Sequence, residues 1–382
     1  MNYFHEGEGR HIEQSAKEFC QNVIRRDFET FTKAKRFSRE VFVEMGKVGF
    51  LGAMIPEKYG GVGMSMQNYV ILMESIACYG GGSVALTLIA HHSLAAEHII
   101  HAGTEEQKRI FLPKLANGEM IGAWCLTEPG AGSDAFGKGM KTVAIPTNSG
   151  WLLNGPKQFI TNGSIADVYV VISKIVSDDP TSKGYGAFIV PKCSKGSIQC
   201  RPETNKMGMH ASDTAAVVFE NIEVGMNANM EGDGRLSTYG VLNNSRIGIS
   251  ALACGLMRSA LSEALMHAQE RQSFGKAIAK YQGVSFPLAD ASAELTSCWA
   301  MVEKAALAAD QGSLTSKISS ETKLKTTRSA FDGCLSALFV FGGLGFMMDS
   351  RVAQDFCSSL LLRIGEGTDN MQRLAIVKTL FS

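Results

Sequence analysis

Residues 124–134 read Trp-Cys-Leu-Thr-Glu-Pro-Gly-Ala-Gly-Ser-Asp, and they predict a strand that ends in a tight turn. Trp124 to Leu126 is a short apolar run typical of the end of a buried strand, and the proline and glycines that follow are turn residues. Glycines let successive backbone N–H groups point into one concavity that binds an anion such as phosphate, and Ser133 adds a hydroxyl donor. A plain β-turn is the alternative that this stretch alone leaves open.

The composition indicates a globular protein with more than one domain. At 382 residues the chain exceeds a single ordinary core, so two or three domains are expected. Hydrophobic residues make up 45% and charged residues 19%, which argues against disorder. The 37 basic and 37 acidic residues cancel, so the charge gives no reason to expect binding to nucleic acid or to an anionic membrane.

Cysteine and histidine usage predicts neither disulfides nor a metal site. The nine cysteines include no C-x-x-C pair, which favours a reducing compartment. His91, His92, His98 and His101 are close in sequence, but no cysteine or carboxylate pattern accompanies them. A structural helix face is therefore favoured over a set of metal ligands.

No membrane or export segment is expected. No apolar run reaches the length of a membrane span, and residues 1–11 are too polar for a signal peptide. We expect a cytoplasmic location, or the mitochondrial matrix if the source is eukaryotic and the chain is already processed.

Hydrophobic periodicity predicts three domains, in the order α, β, α. An N-terminal all-α domain is expected over 1–120, a β-barrel or sandwich over 121–228, and a four-helix bundle over 229–382. The helices expected first are 12–31, 40–48, 66–78, 83–102 and one that opens at Thr104; the strands include 167–172, 186–190 and 215–219; and the bundle helices are 247–268, 284–310, 320–341 and 351–381, the last interrupted near Gly365.

Four further motifs follow the opening stretch: Trp151-Leu-Leu-Asn-Gly-Pro-Lys-Gln-Phe-Ile-Thr-Asn-Gly, Arg271-Gln-Ser-Phe-Gly-Lys with Gln282, Phe341-Gly-Gly-Leu-Gly-Phe, and Glu366-Gly-Thr-Asp-Asn-Met-Gln. In this order and spacing, the chain resembles the acyl-CoA dehydrogenase family of flavoproteins from about residue 12 to about residue 380.

The resemblance implies one non-covalent FAD per subunit, bound between the β-domain and the bundle. Thr127 and Thr161 are expected to hydrogen-bond the isoalloxazine ring, with Phe159 packed against it, and Ser133 is expected to contact the pyrophosphate and the CoA side. The other positions assigned to the cofactor are Trp124, Leu126, Gly132, Phe339, Gly342, Gly343, Thr368 and Asn370.

A second implication concerns assembly. Arg271, Phe274 and Gln282 match positions that bind the FAD of a neighbouring subunit, so a homo-oligomer, a dimer or tetramer, is expected. A guanidinium suits phosphate because it binds two of its oxygens at once.

The resemblance also assigns the chemistry. Glu366 matches the base that removes the α-proton of an acyl-CoA, and the β-hydrogen leaves as hydride to flavin N5, giving the trans-2-enoyl-CoA. A ribityl hydroxyl and the backbone N–H of Glu366 are expected to stabilise the enolate-like oxygen. Some relatives carry the base one residue before the arginine that opens the first bundle helix, but here that residue is Ser245, which cannot serve. Electrons are expected to pass to an electron-transfer flavoprotein.

Substrate contacts are expected from Ser133, Asn243, Arg246 and Gly367, with Arg246 also positioning the base loop. A flavin oxidase of the same fold and a dehydrogenase that acts on an acyl carrier protein remain alternatives, and a non-catalytic scaffold is disfavoured by the retention of Glu366.

Three departures from the family pattern point to a specialised member. An aromatic residue usually precedes the base, whereas Gly365 stands there and predicts a roomier pocket. Phe339 replaces a glutamine that contacts the adenosine side of FAD. Cys357 and Ser358 replace an Arg-Asp pair, so an ion pair of the last helix hairpin is expected to be lost.

Overall fold

The computed structural model describes residues 7–177 and 184–381, with helices first, strands in the middle and helices again at the end. The predicted fold class is therefore confirmed. Residues 1–6, the first part of the segment judged too polar for a signal peptide, lie outside the described ranges.

Seven α-helices of the described chain precede its first strand: α1 Glu8–Phe19, α2 Phe28–Ala34, α3 Arg39–Lys47, α4 Met66–Gly80, α5 Gly82–Ile89, α6 Glu97–Ala102 and α7 Glu105–Ala116. The prediction of one helix over 12–31 was wrong in detail, because a π-helical segment at Cys20–Ile24 and a 3-10 turn at Arg25–Asp27 separate α1 from α2. At the start of α7 the expected capping pattern is present: Thr104 and Gln107 each accept a hydrogen bond from the backbone N–H of the other.

The buried helix predicted over 83–102 also changes type within its length. Residues Ala90–Ala96 form a π-helical segment between α5 and α6, which periodicity does not reveal. His91, His92 and His98 are buried here and hydrogen-bonded to protein groups. The backbone N–H of Gly122 donates to His91 Nδ1 at 3.1 Å, and that of Met54 donates to His92 Nε2 at 2.8 Å.

Within residues 7–177 and 184–381, seven strands form one sheet: β1 Gly122–Cys125, β2 Val143–Thr147, β3 Gly150–Thr161, β4 Val168–Ile175, β5 Tyr185–Pro191, β6 Lys195–Pro202 and β7 Thr214–Gly225. β4 pairs in parallel with β1 and β2 and antiparallel with β5, while β2, β3, β7 and β6 pair in succession as antiparallel neighbours. Strands β2, β3 and β6 were not predicted. β3 carries Gly155, Pro156 and Lys157, and β6 is largely exposed, so neither shows a clean buried alternation.

The C-terminal part contains α8 Gly234–Glu270, the small hairpin β8 Gln272–Ser273 and β9 Lys276–Ala277, α9 Gln282–Asp310, α10 Ser316–Phe341, α11 Arg351–Leu362 and α12 Asp369–Leu380. The predicted start of the first bundle helix at 247 was wrong by 13 residues. Asp233 caps the true start through its side chain, and residues 234–246 are rich in Gly, Ser, Thr and Asn, whose low helix propensity is overridden by packing.

α8 packs against α4 and α10 in the centre of the main hydrophobic core. A buried ion pair joins α8 to α4, with Arg258 Nε and Nη2 donating to the two carboxylate oxygens of Glu74 at 2.5 and 2.6 Å. Among the described helices, Gly234–Glu270 and Ser316–Phe346 are long and apolar enough to cross a membrane by length and composition alone, a property that core helices of soluble proteins share. The apolar window of the first is 78% buried, as in the core helix of a bundle.

Candidate functional site

A buried ion pair fixes the turn at 127–134 beneath its surface. Lys157 Nζ donates to Glu128 Oε1 at 2.8 Å, to the carbonyl of Leu126 at 3.0 Å and to that of Ile172 at 2.7 Å. Both charged side chains are essentially inaccessible to solvent. Burial disfavours the ionised carboxyl of Glu128, but the charge of Lys157 and backbone donors outweigh it and lower the pKa of Glu128 below its usual value.

The same turn leaves donors free on its exposed side. Glu128 and Ala131 form a closed bridge, each donating its N–H to the other's carbonyl at 3.0 and 3.1 Å. The next two N–H groups, of Gly132 and Ser133, have no hydrogen-bond acceptor within the described chain. A Cβ at Gly132 would meet nothing within 4 Å, so the approach to these donors is open. Free N–H donors on an open turn favour the interpretation of this stretch as an anion-binding turn over that of a plain β-turn.

The structure brings Thr127 beside β3. The backbone N–H of Gln158 donates to the carbonyl of Thr127 at 2.8 Å. A register shift between Lys157 and Ile160 interrupts the pairing of β3 with β7 at this point, and Phe159 takes a left-handed φ of 57°. The bulge turns the Phe159 ring outward, where it is 66% exposed, next to the half-buried Thr161.

These residues fit a planar, phosphate-bearing cofactor such as FAD. An exposed phenyl ring and two threonines lie where the end of β3 meets the turn that follows β1, and that turn has free N–H groups. The large apolar ring of Phe159 is not covered by the described chain. Thr127, Thr161 and Phe159 would hold the ring system, and Gly132 and Ser133 the phosphates. Trp124 and Leu126 are mostly buried behind this edge, where Trp124 Nε1 donates to His98 Nδ1 at 2.9 Å.

Glu366 lies on the loop between α11 and α12, in an uncommon backbone conformation. Its φ is 53° and that of Gly367 is 96°, so both residues are left-handed. Glycine adopts this region freely, whereas a glutamate there needs support from its surroundings. The φ of 96° at Gly367 favours glycine, and a Cβ there would also lie 2.8 Å from Gln372 Nε2.

Side chains from three helices hold this turn by its carbonyls. Arg246 Nε of α8 donates to the carbonyl of Glu366 at 3.3 Å, and Lys323 Nζ of α10 donates to that of Gly367 at 2.8 Å. Gln372 Nε2 of α12 donates to both, at 3.3 and 2.8 Å. Asn243 holds Arg246 in turn, accepting from Nη1 at 3.0 Å. Arg246, Asn243 and Gly367 are thus brought together with Glu366.

The Glu366 carboxylate is placed to take up a proton near neutral pH. Burial raises its pKa to about 7, and the hydroxyl of Ser245 and the charges of Lys323 and Arg246 oppose that rise. Carboxylate oxygen Oε2 is buried and has no hydrogen-bond partner among the described residues. The backbone N–H of Glu366 likewise has no acceptor in that part of the chain, so a donor lies free beside the base.

The remaining predicted cofactor residues lie on the surface of the C-terminal helices. Arg271 and Gln282 are exposed, as is Phe274 (95%) at the tip of the β8–β9 hairpin, and the Arg271 guanidinium has no ion pair or hydrogen bond within residues 7–177 and 184–381. Phe339, Gly342 and Gly343 are exposed at the end of α10. No contact in the described chain joins this set to Thr127, Phe159 or Thr161.

Two assigned residues have local roles at the start of α12. Thr368 caps the helix by accepting from the N–H of Met371 at 3.4 Å, and Asn370 accepts from Arg373 Nη1 at 2.6 Å. Their predicted contacts with the cofactor stay predictions.

The departures have structural counterparts. A Cβ on Gly365 would meet only the carbonyl of Leu361, at 3.6 Å, so the backbone does not require glycine there. At Cys357 and Ser358 the chain packs closely against Gly208 and Gly82. The hairpin keeps other ion pairs, Arg351–Asp355 at 2.9 Å and Arg363–Asp369 at 2.7 Å.

Sequence reasoning missed Lys323 and Tyr69. Lys323 lies in an unremarkable helical pattern, where a lysine is ordinarily a solvated residue. Tyr69 of α4 lies close enough to Glu366 for that carboxylate to favour the neutral phenol, and burial raises the pKa of Tyr69 more strongly. Gln372 closes the quoted Glu366 motif, so its presence near the base had a sequence signal.

Comparison with known proteins shows which family the chain resembles over its length. Models of the acyl-CoA dehydrogenase N-terminal, middle and C-terminal domains match residues 6–119, 123–222 and 232–381. The chain is 36% identical to an acyl-CoA dehydrogenase of Bacillus subtilis over 97% of both chains, and 32% identical to the caffeyl-CoA reductase-Etf complex subunit CarC of Acetobacterium woodii over 98% of both. A solved glutaryl-CoA dehydrogenase of Mycobacterium smegmatis in complex with FADH2 superposes with a TM-score of 0.92 at 27% identity, covering 98% of this chain and 95% of the other.

Proposed function

The chain belongs to the acyl-CoA dehydrogenase family of FAD-dependent oxidoreductases, and on that premise we propose that it oxidises an acyl-CoA to the trans-2-enoyl-CoA with Glu366 as the base. The observation that carries the proposal is the Glu366 turn, where a half-buried glutamate has a pKa raised to about 7 and a buried carboxylate oxygen without a partner in the described chain. A carboxylate with this pKa is basic enough to take a proton and acidic enough to release it near neutral pH.

Each chain residue has a defined part in the reaction. Glu366 removes the α-proton, and its own backbone N–H donates to the thioester oxygen as negative charge develops there. Arg246 and Asn243 hold the loop at its working position. Bound FAD supplies the acceptor for the hydrogen that leaves the β-carbon.

Electron transfer to an electron-transfer flavoprotein is part of the proposal. Its support is the relative CarC, which is named as a subunit of a complex with Etf.

Assembly into a dimer or tetramer is also proposed. Its support is the exposure of large apolar side chains in the C-terminal part of the chain: Phe274, Phe286, Phe339, Leu344 and Phe346, of which Phe346 is 86% exposed. Large exposed apolar side chains in number are typical of interaction surfaces, and Arg271, which has no partner in the described chain, lies three residues before Phe274. A second subunit would bring its own Arg271 and Phe274 to a cofactor bound along the Thr127 edge.

The function is tested by anaerobic titration of the FAD-loaded protein with butyryl-, octanoyl-, isovaleryl- and 3-phenylpropionyl-CoA. Bleaching of the flavin band by at least one of them, with formation of the matching 2-enoyl-CoA, is the expected result. No bleaching by any acyl-CoA, with bleaching by an acyl carrier protein thioester, would refute the CoA assignment. Reoxidation of the reduced flavin by air within seconds would identify an oxidase instead.

A further inference from the structure

A buried lysine lies directly behind the turn that carries Glu366. The side chain of Lys323 is in α10 and has no solvent exposure, and its hydrogen bond goes to the carbonyl of Gly367 at 2.8 Å. Within the described residues it forms no ion pair shorter than 4 Å with any carboxylate. Burying an ammonium is costly, so a lysine that is buried without a close carboxylate partner calls for a reason.

The turn itself supplies that reason. Glu366 and Gly367 are both left-handed, and a glutamate holds this conformation only when its surroundings impose it. Arg246 donates to the first carbonyl and Gln372 to both, but Lys323 is the donor that α10 contributes. It therefore ties the turn to a helix that the other two donors do not reach.

The charged and polar side chains around Glu366 come from several helices. Arg246 and Ser245 face it from α8, Tyr69 from α4 and Lys323 from α10. Asp369 and Arg363 lie at the two ends of the α11–α12 connection. The charge of Asp369 raises the pKa of Lys323 and that of Arg363 lowers it.

The protonation states follow from these neighbours. Burial lowers the pKa of Lys323 to about 8, against the attraction of Glu366 and Asp369, so the ammonium is mainly charged at pH 7. Its charge opposes the rise that burial gives to the pKa of Glu366.

We propose that Lys323 is a positioning residue for the base: its ammonium fixes the left-handed turn from α10 and keeps a positive charge beside the Glu366 carboxylate. The inference rests on the proposed role of Glu366 as the base. A lysine that served only to hold the bundle together would alter stability but not the pH dependence of the reaction, which gives the two roles different readouts.

The test uses Lys323→Met in the FAD-loaded protein, because methionine keeps the length of the side chain and removes both the donor and the charge. The rate of flavin reduction is measured anaerobically from pH 6 to pH 9.5 with the acyl-CoA that reduces the wild-type flavin fastest in the panel above. We expect the plateau rate to fall by roughly a hundredfold, since displacements of about 1 Å have such effects. We expect the acid limb, the part of the pH profile where the rate rises as Glu366 loses its proton, to move up by about one pH unit. The shift follows because the loss of a nearby positive charge raises the pKa of Glu366.

Lys325→Met is the matched control. Lys325 is on the same helix and half-exposed, and it pairs with Glu294 at 2.6 Å away from the turn. Lys325→Met should change neither the plateau rate of flavin reduction nor the pH of the acid limb. If Lys323→Met does not retain FAD, Lys323→Gln, which keeps a donor without the charge, is measured in the same way.

A Lys323 variant whose plateau rate stays within twofold of wild type, or whose rate falls without movement of the acid limb, overturns the proposal. Glu366→Gln is measured alongside to separate two failures. If Glu366→Gln is inactive and Lys323→Met is normal, only the inference about Lys323 fails, whereas an active Glu366→Gln removes the base on which both rest.

Discussion

At the level of single residues, Gly365 precedes Glu366 at a position where the backbone conformation does not require glycine. A Cβ there would make only an ordinary contact of 3.6 Å with the carbonyl of Leu361, and its φ is not left-handed. The resemblance to the family leads us to expect an aromatic side chain at this position, so we infer that the glycine leaves room next to Glu366 for a bulkier acyl group.

We therefore predict that Gly365→Tyr folds normally and narrows the range of substrates. The ratio of kcat/KM for butyryl-CoA to that for isovaleryl-CoA should rise by about tenfold, the effect of crowding a branched group by 1–3 kcal/mol. Gly365→Ala, which adds only the Cβ, should leave this ratio near wild type. An unchanged ratio in the Tyr variant would mean that position 365 does not face the acyl group.

Individual residues also show what the sequence alone could and could not reveal. Glu366 and Arg246 were identified because their motifs stand at the expected spacing, and the structure places them together. Lys323 was not identified, because its hydrogen bond goes to the carbonyl of Gly367, 44 residues along the chain, and no local sequence pattern indicates such a contact. The outward turn of Phe159 depends on a bulge against β7, which is a property of strand pairing and not of composition.

At the level of elements, the ion pair between Lys157 and Glu128 ties the turn of the candidate cofactor site to β3 and β4. Its two side chains are buried, so removing one partner leaves the other charged group without compensation. Loss of the pair should therefore affect both folding and the binding of the cofactor.

We predict that Lys157→Met lowers the free energy of unfolding by about 3–5 kcal/mol, measured by urea denaturation at pH 7. The double variant Lys157→Met, Glu128→Gln should recover part of the loss because the stranded carboxylate is gone. Lys195→Met, which removes the exposed pair with Glu223, should change stability by about 0.5 kcal/mol or less. A Lys157 variant no less stable than the Lys195 control would contradict this account of the turn.

The elements also explain which predictions from the sequence were wrong. Long apolar helices such as α9 and α10 were predicted within a few residues, because their periodicity is strong. The first 13 residues of α8 and strand β6 were missed, because tertiary packing and strand pairing decide them against weak local propensity. The π-helical segments, each set within a longer helical stretch, have no distinct sequence period at all.

At the level of the whole molecule, the candidate cofactor residues fall into two sets that no hydrogen bond, ion pair or ring contact joins within residues 7–177 and 184–381. Thr127, Phe159 and Thr161 lie at the end of β3 and on the turn beside it, whereas Arg271 and Phe274 lie at the exposed β8–β9 hairpin. An oligomer in which a neighbour supplies the second set would complete the shell around the cofactor.

We predict that the purified protein is yellow, holds one FAD per chain and is a dimer or tetramer by light scattering. Arg271→Ala should weaken FAD retention during gel filtration while leaving the unfolding temperature of the apoprotein within about 2 °C, since the side chain is exposed and unpaired in the described chain. A stable monomer that retains FAD through gel filtration would refute the shared site.

The central claim is that Glu366 is the base, and the most direct measurement is the anaerobic rate of flavin reduction in Glu366→Gln across pH. Wild type should show a rate that rises with pH through about 7, because the carboxyl must be ionised to accept the proton. The Gln variant keeps the shape of the side chain, so it should still bind FAD and the 2-enoyl-CoA product. Its rate should be lower by about ten-thousandfold, and the acid limb should disappear with it. Retention of more than about a tenth of the wild-type rate would place the base elsewhere and contradict the mechanism.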